Sequence, residues 1–317
     1  VAVTYTAQAA TDGALYSTKL ALTLILAAIE DGAMLLGHPS VVDASELLPE
    51  NWWVGLIPGG AVTIPVDMVT PLMSSTAETT DIAGATTIDL QASKSISTGA
   101  YDLVFGVSNE LRRRDASGRY QVVPIAGSIL RSANYTATSL ICALATSAST
   151  TVGASGDPLT WDVIQEAADG IMITGLNQAG GGVVCILHPR QWAAVKRDLA
   201  SSSGARANRR ELDAFQAAVA VGYQGTVDNI EIWTCDRVTE SGGDYSGIMF
   251  ARGGVVTAVV PPADPFPGQT VVLQTPLVAV TAQYDATDKS GKLIGDMTIG
   301  VSILHQELVR EILSIGD

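Results

Sequence analysis

The chain is poor in charge, in aromatic rings and in the residues that do chemistry in pairs. Charged side chains make up 16% of its 317 residues, against roughly 25% in an average soluble protein. The three histidines, His38, His188 and His305, are far apart, two of them stand directly before proline, and none has HExxH or HxxxH spacing. The three cysteines, Cys142, Cys185 and Cys235, lie in "TSLICALA", "VVCIL" and "EIWTCD", with no CxxC pair. These spacings argue against a zinc site and mark the thiols as small core residues of a reducing compartment. There is no GxSxG elbow and no GxGxxG, and "SGKL" at 290–293 lacks the upstream glycine and the Ser/Thr of a P-loop. Acidic residues are many, yet no two stand out as a general acid and base. No catalytic residue, cofactor or metal is therefore expected, and an enzyme is the third-ranked function class. No apolar run approaches the roughly 20 residues that span a bilayer. The segment "LILAAI" at 24–29 is among the longest, so no membrane partner is expected. The N-terminus also lacks the basic and apolar regions of a signal peptide.

What is present is acidic and apolar. The 32 acidic and 18 basic residues give a net charge of −14, which disfavours a body that grips nucleic-acid phosphates. Such a body is still compatible with lying beside DNA. Apolar residues reach 47%, before 31 glycines are counted. With so little charge, something other than water covers much of the surface, and other protein chains are the expected cover. Basic residues gather in "LRRRDASGR" (111–119) and "GARANRR" (204–210). Arg112, Arg113, Arg114, Arg209 and Arg210 are thus candidates for contact with a neighbour's carboxylates. Trp52 and Trp53 sit side by side in an irregular stretch, where at least one should be exposed unless another chain covers it.

Along the chain, 1–60 reads as an arm with a short helix. Residues 61–108 read as a long hairpin, with "AVTIPVDM" and "IDLQASKSIS" on either side of a polar tip. Its weak apolar faces predict a need for a partner surface, because an isolated two-stranded ribbon is marginal in water. A helix of about six turns follows Pro124, with Ile129, Ala133, Ala137, Leu140, Ile141 and Leu144 as its stripe. The segment "SASTTVGASGD" reads as turns, and Asp157 or Thr160 is expected to start the helix "LTWDVIQEAADGIMI". "VVCIL" reads as a strand, and "HPRQWAAVKRDL" as a turn and a helix with Pro189 at its first position. Trp192, Val195 and Leu199 then share one face, so His188 marks a boundary. "RRELDAFQAAVAVG" reads as a further helix, and strands fill the rest, with "TDKSGK" as a hairpin turn. Helices and strands are segregated, which is the α+β class.

This order of arm, hairpin, long helix and two lobes, together with "LTWDVIQEAADGI" followed by "VVCILHPRQWAAVKRDL", resembles the major capsid proteins of tailed bacteriophages with the Hong Kong 97 fold. The resemblance implies an N-terminal arm (1–60), an extended β-hairpin loop (61–108), and a spine helix with a peripheral domain (109–204). An axial domain (205–261) and C-terminal strands returning to the peripheral domain (262–317) complete it. It implies self-assembly through hexamers and pentamers into an icosahedral shell that encloses double-stranded DNA without sequence-specific binding. Portal, scaffold or decoration proteins would be partners, and the chain would be assembled in the host cytoplasm and found in the virion. Some relatives join subunits through a loop lysine, and Lys94 is the only lysine of this loop. An encapsulin-like nanocompartment shell of the same fold is the alternative, and a secreted or surface β-rich binding protein the second.

Overall fold

The computed structural model describes residues 38–49, 52–53, 60–65, 93–108, 122–173, 182–201, 223–262, 270–275, 277–285 and 290–316. Strand β1 (Val41–Asp43) leads into the one-turn helix α1 (Ala44–Leu47), where the Asp43 carboxylate accepts from Ser45 N–H. Strands β2 (Ala61–Pro65) and β3 (Ser93–Ser97) pair antiparallel, and β4 (Gly99–Ser108) follows. The long helix α2 (Val122–Ala143) closes in a 3-10 turn, Leu144–Ser147. It starts two residues before Pro124, which places that proline in the first turn, where its missing N–H costs nothing. Next come β5 (Thr151–Pro158), α3 (Trp161–Met172), β6 (Val183–Leu187) and α4 (Pro189–Ser201). The remaining strands are β7 (Tyr223–Val227), β8 (Ile230–Thr234), β9 (Thr239–Ser241), β10 (Asp244–Phe250), β11 (Val255–Val260), β12 (Thr270–Gln274), β13 (Ala279–Asp285), β14 (Ser290–Ile303) and β15 (Val309–Ile315).

Two sheets organise these elements. The first runs β1-β11-β14-β13-β12, with β4 along the other edge of β14. Helix α2 lies on one face of it, packing Ile129, Leu130, Ala133 and Ala137 against Val280, Leu293 and Met297. Gly295 is the contact point, because a Cβ there would overlap Ile129. The second sheet runs β5-β15-β10-β6-β8-β7, with β9 on β10. Its β7–β8 hairpin turns through Asp228 and Asn229, both with positive φ, the two-residue geometry that suits the twist of paired strands.

Helices α3 and α4 cover one face of the second sheet, with Ile164, Ile171, Trp192, Val195 and Leu199 on Cys185, Leu187, Ile232 and Met249. The opposite face, carrying Val184, Ile186, Ile248 and Phe250, meets the end of α2 at Ile141, Cys142 and Ala145, and the first sheet at Val41, Val255 and Ile303. β6 is therefore buried on both sides, which explains why "VVCIL" is apolar without alternation.

One expectation changes here. "TTVGASGD" is a strand, the exposed edge strand β5, held parallel to β15 more than 150 residues away, so its Gly and Ser give no local sign of pairing. Thr160 holds the N-cap position of α3, as expected, without a side-chain cap of its own, and Asp198 of α4 accepts from Trp161 N–H at 2.9 Å. Strand β6, from the stretch 109–204, pairs with β8 and β10, from the stretch 205–261. The expected helix "RRELDAFQAAVAVG" lies outside the described residues.

Candidate assembly surfaces

The ribbon of β2 and β3 alternates strictly. Val62, Ile64 and Ile96 are buried against Val42, Ala44, Val256 and Ala258, while Ala61, Thr63, Ser93, Ser95 and Ser97 are exposed. The base of the hairpin is therefore covered by the chain itself, which corrects the expectation that its apolar faces lack a core of their own. Gly300 makes this seat possible, since a Cβ there would press on Ser97 O and Ile96. Lys94 pairs in register with Ile64, on the same face as Ile96, and is half-buried just beyond that seat. The hairpin tip lies outside the described residues.

Strand β4 gives a second surface. It pairs with β14 over its whole length, from Gly99 opposite Ile299 to Ser108 opposite Ser290. Among the described residues it pairs with no other strand, and the N–H and C=O groups of such an edge can template another chain. Leu103 and Phe105 face α2. Asp102 and Val104 face away, and Val104 is 53% exposed. On that outer face Asp102 stands directly opposite Asp296. Partial burial, then the Asp102 charge and the hydrogen bond between the two carboxyls, hold the Asp296 carboxyl above its usual range. Two carboxyls facing each other across paired strands disfavour the doubly charged state. A third exposed apolar spot closes α3, where Ile173 is 83% exposed.

His188 belongs to the scaffold. Its ring stacks on Tyr245 with centroids 4.0 Å apart, and its Nδ1 accepts from Arg190 N–H. Burial, then the neighbouring Arg190 charge, push its pKa down, so it stays neutral as the cap of α4. Beside it Gln191, fully buried, accepts from His188 N–H and donates to Tyr245 O, Ile312 O and Ser314 Oγ. It thereby fastens α4 to β10 and β15. Sequence reasoning passed over it, and the one available signal was a polar residue between Trp192 and the strand, on the buried side of the helix.

Trp52 and Trp53 meet edge to face at 5.9 Å and are both half-buried, Trp52 on the seat of the ribbon. Each keeps part of its surface accessible, and the chain's own core takes one side of Trp52. Trp161, Trp192 and Trp233 are core anchors. Arg112, Arg113, Arg114, Arg209 and Arg210 lie outside the described residues. Among the described residues no group of His, Cys, Asp and Glu is arranged to hold a metal, and no helix is long and apolar enough to cross a membrane.

No protein-family model and no curated protein matches the chain. Solved structures do. The capsid of Ralstonia phage GP4 superposes with a TM-score of 0.57 at 10% identity, over 88% of this chain and 90% of that one. A chain of Mycobacterium phage Che8 gives 0.54 at 13%, over 85% and 89%. A virus-like particle from Pyrococcus furiosus gives 0.51 at 13%, over 93% and 98%. The fold is that of the phage capsid proteins, of mixed α+β class.

Proposed function

We propose that this chain is the major capsid protein of a tailed phage, of Hong Kong 97 type, building the icosahedral shell around double-stranded DNA. The observation that carries the reading is a fold shared with the Ralstonia phage GP4 capsid across nine-tenths of both chains. The surfaces support it. A ten-residue strand, β4, has no second strand partner among the described residues, and apolar spots stand exposed at Val104 and Ile173; closed symmetric assembly gives each of these a partner. In this reading α2 is the spine helix and 61–108 the extended loop that reaches a neighbour. Arg112, Arg113 and Arg114 meet acidic residues of that neighbour, with Trp52, Trp53, Lys94, Arg209 and Arg210 as further contact candidates. The net charge of −14 keeps packaged DNA from adhering to the wall. Hexamers and pentamers form in the host cytoplasm, with portal and scaffold or decoration proteins as partners.

Negative-stain electron microscopy with size-exclusion chromatography of the purified protein tests this. Closed polyhedra, or rings of five or six subunits, are expected. A stable monomer that forms no particle even with candidate scaffold present rejects the reading. A second reading, a cellular nanocompartment shell, rests on the likeness to the Pyrococcus furiosus virus-like particle. Nuclease-protected DNA inside the particles favours the phage capsid, and a copurifying protein cargo favours the compartment.

A further inference from the structure

We propose that Cys142 and Cys235 are a modification site, a thiol pair that a low-molecular-weight disulfide of the glutathione class converts to an intramolecular disulfide joining the end of α2 to the end of β8. The two residues come from distant parts of the sequence and from the two halves of the structure. Cys142 is buried in the last turn of α2, within the apolar cluster that joins the sheets, and Cys235 packs on that cluster from the residue after β8. The Cys142 thiol donates a hydrogen bond to the Cys235 sulfur.

The backbone on the Cys235 side is fixed. Cys235 N–H donates to Leu187 O at 2.9 Å, and Arg237 N–H reaches the Cys235 sulfur at 3.4 Å. The Arg237 side chain lies over the ring of Tyr135, on the same helix as Cys142.

The environment gives the two thiols different roles. The hydrogen bond it donates, then burial, hold the Cys142 thiol well above its usual range. The bond it accepts from Cys142 lowers Cys235, with the Arg237 N–H adding to the effect against partial burial. Cys235 is also the half-exposed member, so it is the thiolate that a dissolved disulfide meets. Cys185 is the contrast: it is fully buried inside β6, and burial alone pushes its thiol up.

The chemistry is a two-step exchange. The Cys235 thiolate attacks one sulfur of the small disulfide, forming a mixed disulfide and expelling a thiolate. That thiolate takes the Cys142 proton, directly or through water. The Cys142 sulfur then attacks the Cys235 sulfur, closes the protein disulfide and releases the second small thiol. The pair loses two electrons and two protons, and one small disulfide becomes two thiols. The product ties the long helix of one sheet to a strand of the other, a link that raises resistance to unfolding.

The test treats the purified full chain with oxidised glutathione, denatures it, alkylates the remaining thiols and maps the peptides by mass spectrometry. The expected result is loss of two of the three alkylatable thiols, a cross-linked peptide pair containing Cys142 and Cys235, and reversal by dithiothreitol. Three thiols still alkylatable, or glutathione retained on Cys235 with no cross-linked pair, overturns the proposal. Cys142→Ser is expected to accumulate the mixed disulfide at Cys235, and an inert variant overturns the assignment of Cys235 as the attacking thiol. The first readout uses the unmutated chain and does not depend on shell assembly, so it stands whatever electron microscopy shows.

Discussion

Gln191 is a polar side chain in a place where polarity is tolerated only when fully satisfied; it accepts from His188 N–H at the start of its own helix and donates across to β10 and β15. Replacing it with methionine keeps the volume and strands His188 N–H and the Tyr245 and Ile312 carbonyls away from water. Buried groups left without a partner cost about 1–3 kcal/mol in such cases. We expect Gln191→Met to destabilise the chain by about 3 kcal/mol, read as a lower guanidinium midpoint; an unchanged midpoint means the network adds nothing. The Asp102–Asp296 pair argues in the other direction. The folded-state pKa of Asp296 is raised, so the folded chain holds this proton more tightly than the unfolded one. Its contribution is therefore favourable below the unfolded carboxylate value, is lost as pH rises through the raised value, and leaves a penalty at neutral pH. Asp296→Asn is expected to gain about 0.5 kcal/mol at pH 7 and nothing at pH 3, by urea melts at both values. A gain that persists in acid assigns the effect to packing instead. Neither site was legible in the sequence: Gln191 and Asp296 are defined by partners on strands far away in the chain, and the Cys142–Cys235 contact has the same origin. His188 was legible, because the proline after it and the apolar face of Trp192, Val195 and Leu199 fix its role locally.

Elements follow the same division between local and distant causes. β6, α4 and the body of α2 are where apolar periodicity and proline place them, whereas Ser290, Gly291 and Lys292 of the expected turn already belong to β14, paired with β13. β5 escaped because an exposed edge strand of Thr, Gly and Ser is held by its partner and not by its own composition. That partner, β15, lies between β5 and β10 in the second sheet, with Arg310 reaching back to Gly170 O and Gln306 to Ser147 O. Removing 309–317 takes out an interior strand, so we expect the truncated chain to be insoluble or molten, without a cooperative thermal transition. A cooperative transition near that of the full chain removes β15 from the folding core. The seat of α2 on the first sheet is equally specific. Gly295→Ala sets a methyl where Ile129 already lies, and overpacking of this kind costs about 1–3 kcal/mol. The atom in the way is Ile129 Cγ2, which valine would keep, so the combined variant Gly295→Ala with Ile129→Ala is expected to recover part of the summed loss of the two single variants. Absence of any recovery places the strain in β14 and not in the helix contact.

For the molecule as a whole, two electrostatic effects of different reach compete during assembly. Each copy carries −14, so copies repel over distances set by the Debye length, about 30 Å at 0.01 M salt and about 8 Å at 0.15 M. The contact proposed for Arg112, Arg113 and Arg114 with a neighbour's carboxylates acts within a few ångströms and survives until the Debye length falls to about 3 Å, near 1 M. Apolar contacts at Val104 and Ile173 change little over this range of sodium chloride. Particle yield, followed by light scattering and sedimentation, is therefore expected to rise from about 0.01 M to about 0.15 M salt and to fall again toward about 1 M. Replacing the three arginines with glutamine should abolish the falling limb and leave the rising one, because it removes the short-range attraction and deepens the net negative charge. A yield that falls steadily from the lowest salt means that attraction between charged patches outweighs the net repulsion throughout. A wild-type falling limb that persists in the variant places the salt-sensitive contact elsewhere, with Arg209 and Arg210 the next pair to replace.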